Sequence, residues 1–404
     1  MPLAIASDKT TVTTMSGKSV WPLYLILGNF NSITQRNVEL AKPRLIGLLP
    51  ANVDLAKVNS QQRSKTNAII FARSVEFILE PIRNLINNGL IFECADKQNH
   101  TFASYLHAIT GDMEEQYRYV QVNGPNSSFP CTQCMVPRDR LYDLQEKFTT
   151  RNYRSDRAWI RLAVSNPESG LRPSEKGYVG VKLDWCQSWP NFDPVNAITI
   201  DTLHTIHLGV TKYVITSFLE SLQENQKLQL LELLEKINKW PGIWSFKNRG
   251  LKIRKIQDAN YYISLIKLLP SVIVRLNLAK DFAKITIPML RECQKLTLVS
   301  TLDEQSDFTL RILEDIINNL DILNKKFFTI APRYTERSMK TELSVPKWHV
   351  MQHIINCIKR KGSLTVYTTK LTEGCHKKLK SAFKNTNNHP SSFVQVSKLF
   401  HERS

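Results

Sequence analysis

Carboxylates at the ends of apolar runs, a Cys-x-x-Cys pair and closely spaced histidines are the residues of this sequence that could do chemistry. Asp8 follows the apolar run LAIA in SDKT, and Asp112 follows TFASYLHAIT. Glu373 stands far downstream in LTEGCHKKLKSAFK, near the start of a helical pattern. A carboxylate beside a buried strand is costly unless it reaches a site or a partner. Two aspartates leaving strand ends and a later glutamate on a helix make three hard oxygen donors. Such a set holds a pair of Mg²⁺ or Mn²⁺ ions for phosphoryl transfer. The same aspartate positions also suit turn and N-cap residues, because a short carboxylate after a strand accepts backbone N–H bonds.

Cys131 and Cys134 bring two thiolates within reach of one metal ion. Downstream, Asp201-Thr-Leu-His204-Thr-Ile-His207 offers two imidazoles on one face if the segment is helical. Together they compose a tetrahedral Cys₂His₂ set with a long insert between its halves; the competing reading is two unrelated pairs. With all four positions filled by protein, the zinc would be structural. A redox role suits the cysteines less, because the loop SSFP precedes them and not a strand entering a helix. Four of the other histidines have plainer readings. His349 and His353, four apart on an amphipathic segment, read as interfacial side chains. His376 either faces the same site as Glu373 or joins the surface with Lys377, Lys378 and Lys380, and His107 reads as a core residue of a strand.

The elements that must position these groups fall into stretches. Residues 1 to about 125 read as mixed α/β: LAIA, WPLYLIL, PRLIGLLP, GLIFEC and TFASYLHAIT suit strands, and Thr66 to Asn87 has helical spacing with a boundary or kink at Pro81. From about 125 to 200 Pro, Asn, Ser, Gly and Trp break the periodicity, which predicts loops and short elements. From about 205 to 330 leucines recur at helix spacing. The last stretch holds PKWHVMQHIINCIKRKG, an amphipathic helix closed by Gly362, and the Glu373 helix running to about Asn385.

With 54 basic against 36 acidic residues the formal charge is +18, which favours a polyanionic partner, nucleic acid before others. No apolar run is long enough to span a bilayer, and MPLAIASDKT lacks the features of a signal peptide, so an intracellular chain with free or metal-bound cysteines is expected.

Four segments in this order resemble the Plavaka transposases, fungal DNA transposases related to the CACTA group. They are SDKTTVTTMSGKSVWPLYLILGNF, DTLHTIHLGVTKYV, PKWHVMQHIINCIKRKGSLTVYTT and LTEGCHKKLKSAFKNTN. The resemblance implies an RNase H-like catalytic core with a large, mostly helical insertion that carries a zinc site. On this reading residues 1–125 are the core, 126–345 the insertion and 346–404 the helices that complete the core. It implies Asp8, Asp112 and Glu373 as the catalytic triad holding two Mg²⁺ or Mn²⁺ ions, with His376 at the family's histidine position. Cys131, Cys134, His204 and His207 match its zinc ligands. Transposon ends and target DNA are the implied partners, with no membrane, a nuclear location and a homo-oligomer as further expectations. EGCH lacks the basic residue common after the glutamate, and TIHLG replaces QLHKG. The first catalytic strand starts at the opening methionine, which suggests a truncated N-terminus and a second reading: a silent DNA-binding relic of a transposase.

Overall fold

The computed structural model describes residues 1–404 apart from 13–18, 31–33, 35–42, 52, 54–57, 190–191, 239, 248–249, 252–255, 257, 332–342, 387–393, 397 and 399–404. The basic stretch from Lys247 to Lys255 lies largely outside the described residues. The chain divides into two compact units: Met1–Val136 with Thr149–Asp201 and Val366–Ser404, and Pro137–Phe148 with Thr202–Thr365.

The first unit is built on a mixed sheet. Strands β1 (Pro2–Ser7), β2 (Thr10–Thr11), β3 (Ser19–Leu27) and β4 (Arg44–Leu49) pair antiparallel, β3 lying between β1 and β4. Strands β5 (Leu90–Glu93) and β6 (Asn99–Phe102) form a separate hairpin. Strand β7 (Tyr105–Thr110) then returns beside β1 and parallel to it, and Ile198 makes a parallel bridge to Ile109 on its far side.

Both faces of this sheet are covered, so its strands read as apolar runs without alternation. Leu3, Ile5, Trp21 and Leu23 point to helix α1 (Ser60–Asn88), which buries Phe71, Ala72, Val75 and Leu79. Val20, Tyr24 and Leu45 point the other way, onto Cys375, Leu379 and Phe383 of the C-terminal helix Lys370–Lys384. Ala4, Ala6 and Ala108 are small where Tyr367 packs against the sheet. Helix α1 does not end at Pro81 as its sequence suggests. The carbonyl that loses its N–H partner there belongs to Phe77, a residue 77% exposed, on the side of the helix open to solvent.

Helix α2 (Met113–Val120) follows β7, and helix α3 (Tyr153–Ser165) lies in the stretch expected to hold only loops and short elements. Its inward face is Tyr153, Arg157, Ile160 and Ala163, one turn apart each, but a fully buried arginine interrupts the apolar pattern. Arg157 is held by the carbonyls of Val181, Lys182 and Leu183, and its Nε lies 3.9 Å from Asp184. Arg157→Ala leaves those carbonyls and a buried carboxylate short of a partner. We expect a loss of about 3–5 kcal/mol, read from urea unfolding.

The second unit is helical. A π-helix (Thr202–Thr211) runs into helix Lys212–Ser221, and helices Glu224–Glu235, Ala259–Val272, Lys280–Val299 and Asp307–Ile330 follow. The segment expected as one amphipathic helix is broken into a turn at Pro346–His349, a 3₁₀ stretch at Val350–His353 and helix Ile354–Lys361. Among the described residues no helix is long and apolar enough to cross a membrane.

Candidate active site and metal centre

Parallel neighbours deliver their C-terminal ends to the same edge of a sheet, and the register of β1 on β7 pairs Ala6 with Thr110. Asp8 and Asp112 each follow two residues later. Between the strand ends there is no room for a larger residue at Gly111. A Cβ there would come within 2.8 Å of the Glu115 side chain and 3.3 Å of the Ser7 carbonyl.

Asp112 is the N-cap of α2. Its Oδ1 accepts from the Glu115 N–H at 2.9 Å, and its other oxygen makes no hydrogen bond to the described residues. The capping role expected for an aspartate after a strand is therefore present, and it leaves half of a partly exposed carboxylate free. Asp8 is likewise half-buried.

Glu115 is linked to both strand ends, through Ser7 on one side and the Asp112 cap on the other. It is buried, Ser7 Oγ donates to its carboxylate at 2.6 Å, and Tyr119 donates in turn to Ser7 Oγ at 3.1 Å. Burial pushes its pKa up to about 8, with further upward contributions from the charges of Asp112 and Asp8, against the bond from Ser7. No sequence pattern marks Glu115, because it reads as one of two ordinary first-turn acids with Glu114.

Helix Lys370–Lys384 reaches the same edge. His376 Nδ1 lies 3.8 Å from Asp8 Oδ2. Burial, then the charge of Lys380, lowers the His376 pKa to about 4, so the contact is not an ion pair at neutral pH. Glu373 sits in the first turn of this helix, partly exposed and three residues before His376, hence on the same side. Burial, with Cys375 and Asp8 nearby, drives the Tyr24 phenol well above its ordinary range.

The cysteines are placed by a separate device. Arg151 donates to the carbonyls of Cys131 and Phe129 at 2.7 and 2.6 Å, and Cys134 bridges to Thr150. Both thiols are buried. Cys131 as hydrogen-bond partner, then burial, holds the Cys134 thiol far above its ordinary value. Cys131, Cys134, His349 and His353 form a group whose ligand atoms all lie within 4.8 Å of one another. His204 and His207, expected in that group, are not part of it. They sit on the π-helix, where i→i+5 winding moves residues three apart off a common face. His349 and His353, expected as interfacial side chains, are the histidines that join the cysteines. Their rings meet edge-on at 5.3 Å, His349 just before and His353 at the end of the 3₁₀ stretch that interrupts the expected helix. Four N and S donors in one buried cluster can hold a metal ion such as zinc. His107 lies half-buried on β7, its ring edge-on to Tyr105.

No curated protein matches the chain. The family model of the Plavaka transposases matches residues 1–217, a stretch that contains Asp8, Asp112, Cys131, Cys134, His204 and His207 and stops short of His349, His353 and Glu373. That match covers more than half of the 404 residues, and the chain belongs to the Plavaka transposase family.

Proposed function

We propose that the chain is a DDE-type transposase core of RNase H-like fold that cuts DNA at a transposon end and joins it to a target. The observation that carries this reading is the parallel pairing of β1 with β7. It sends Asp8 and Asp112 off the same sheet edge, to which His376 brings the Glu373 helix. Open sheets bind their ligands outside the carboxyl ends of the strands. The donors there are partly exposed carboxylates of the hard-oxygen type, which fits Mg²⁺ or Mn²⁺. Asp8, Asp112 and Glu373 would hold two such ions, which when bound make a water or a 3′-hydroxyl a better nucleophile and screen the phosphate's charge.

The chain's own part is positioning. The cap from Asp112 to α2 and the buried Glu115–Ser7–Tyr119 network fix the two strand ends. The packing of Cys375, Leu379 and Phe383 on the sheet fixes the helix that carries Glu373. Water attacks the phosphodiester at the transposon end and the phosphorus–3′-oxygen bond breaks, freeing a 3′-hydroxyl and leaving a 5′-phosphate; that hydroxyl then attacks a target phosphodiester, whose own 3′-oxygen leaves as a hydroxyl. Domain roles follow: the sheet unit is catalytic and the helical segment is its insertion.

Lys377, Lys378 and Lys384 are exposed on the Glu373 helix, and Lys359 and Arg360 are exposed at the end of helix Ile354–Lys361. They grip phosphates without reading sequence. Replacing Lys377 and Lys378 together with Ala should reduce the slope of log affinity against log salt by about 2. An unchanged slope in a filter-binding titration removes these two from the interface.

For the second centre, Cys131, Cys134, His349 and His353 would hold a structural Zn²⁺. Two buried thiols side by side are stable as thiolates only when a cation neutralises them, and the four side chains leave no open position.

The direct test of the nuclease reading is nicking of supercoiled DNA by the full chain with Mn²⁺. Nicking that disappears in the triad variants supports it. Salt-dependent binding with no nicking favours the silent relic.

A further inference from the structure

The carboxylate of Asp201 is fully buried, yet neither the proposed triad nor the cysteine cluster uses it. Its Oδ1 accepts from the Thr369 N–H at 3.0 Å and from the Thr368 hydroxyl at 3.3 Å, and its Oδ2 accepts from the Thr369 hydroxyl at 2.8 Å. Thr369 is the N-cap residue of helix Lys370–Lys384, and its own side chain does not cap that helix. Its carbonyl receives the Glu373 N–H at 2.8 Å and the Thr372 hydroxyl at 2.9 Å. One residue thus links Asp201 to the backbone of Glu373.

On its other side Asp201 is backed by the strand end that leads to Asp112. The Thr199 N–H bonds to the Ile109 carbonyl at 3.0 Å, and the hydroxyls of Thr199 and Thr110 lie 3.2 Å apart. The Gln116 amide donates to the carbonyls of both Thr199 and Gly111 at 3.1 Å. The chain leaves the sheet unit after Asp201 and re-enters it at Val366. Asp201 therefore ties exit to return across 167 residues of sequence.

We infer that Asp201 is a positioning residue: a buried clamp that sets where Glu373 stands relative to Asp112, whatever the intervening segment does. It is not a fourth ligand, because both its oxygens are engaged by Thr368 and Thr369 and the residue is sealed from solvent. The inference rests on the reading of Glu373 as a metal ligand.

The experiment compares Asp201→Ala, Asp201→Asn and Glu373→Gln with the wild-type chain by hydrogen exchange and by Mn²⁺ titration of DNA nicking. Asp201→Ala should speed exchange of the amides from Glu373 to Leu379 by about tenfold or more. It should raise the Mn²⁺ concentration for half-maximal nicking by roughly 10–100-fold. Asp201→Asn should keep both within about threefold, because the amide still accepts from the Thr369 N–H and can donate to its hydroxyl. Wild-type exchange in Asp201→Ala overturns the clamp. So does Asp201→Asn as inactive as Glu373→Gln with helix exchange unchanged, which would make Asp201 a ligand. If Asp201→Ala does not fold, Thr369→Val removes only the hydroxyl donor: faster exchange supports the clamp, and wild-type exchange overturns it. If the wild-type chain nicks no DNA, the nuclease reading fails while the exchange measurement still decides the clamp.

Discussion

On the proposed mechanism, Asp8→Asn and Glu373→Gln should each abolish Mn²⁺-dependent strand cleavage while the protein stays folded. Both changes keep the side chain's shape and remove only its charge, and both residues are partly exposed, so little packing depends on them. On the proposed mechanism cleavage would depend on the charge far more steeply. A neutral amide is a poor ligand for a hard dication, and the lost stabilisation of several kcal/mol corresponds to at least about a thousandfold in rate. Asp112→Asn should be as inactive, yet it should keep the start of α2, since asparagine caps helices as well as aspartate does. The measurement is nicking of supercoiled DNA, with circular dichroism and thermal unfolding as the control for fold. Cleavage that survives in both Asp8→Asn and Glu373→Gln sinks the triad, and with it the proposed chemistry.

Stripping the metal from the Cys₂His₂ cluster should have the largest effect on stability. Structural zinc contributes an apparent ~10–16 kcal/mol of binding free energy in small zinc domains, as much as the whole stability of many proteins. We expect metal analysis to find about one zinc per chain, and Cys134→Ser or His353→Ala to lose it. Protease sensitivity should then rise first around Cys131 to Thr150 and around His349 to Lys361. Zinc affinity should fall as the solution is acidified, because thiolates and neutral imidazoles are the ligand forms. His204→Ala should retain the metal, since His204 is not part of the cluster. Zinc lost in His204→Ala and kept in His353→Ala would reverse the assignment of the histidines.

Much of the fold was legible because burial on both faces of a sheet leaves a plain mark. LAIA, WPLYLIL and RLIGLL are apolar throughout and fall within or on β1, β3 and β4. Helix α1 showed its face through Ala72, Val75 and Leu79 even though Pro81 stands within it. Helix α3 left no such mark. Its buried face contains Arg157, and a charged residue satisfied by backbone carbonyls looks on paper like a solvent-facing one.

The site was legible in kind more than in membership. Cys131 and Cys134 could be paired from spacing alone, since local ligands sit together in any fold. Their histidines could not, because the chain offers two close pairs, three and four residues apart, and neither spacing by itself marks the partner. His204 and His207 lose the shared face they would need when the backbone winds as a π-helix, whereas His349 and His353 come ring to ring across a 3₁₀ stretch. Glu115 and Asp201 were invisible as functional residues. Their environments come from Ser7 and from Thr368 and Thr369, 108 and about 167 positions away.

By itself the sequence determined what depends on local order: which runs are apolar enough to be strands, where an aspartate follows them, that two thiols lie three positions apart, and that four separated motifs resemble one family. Only the tertiary structure decided which strand ends are neighbours, which histidines join the cysteines, and which buried carboxylate grips the start of the Glu373 helix. The physical reason is that these contacts close loops of roughly a hundred residues or more. Their free energy comes from burial and hydrogen bonding between elements that carry no record of each other in the chain.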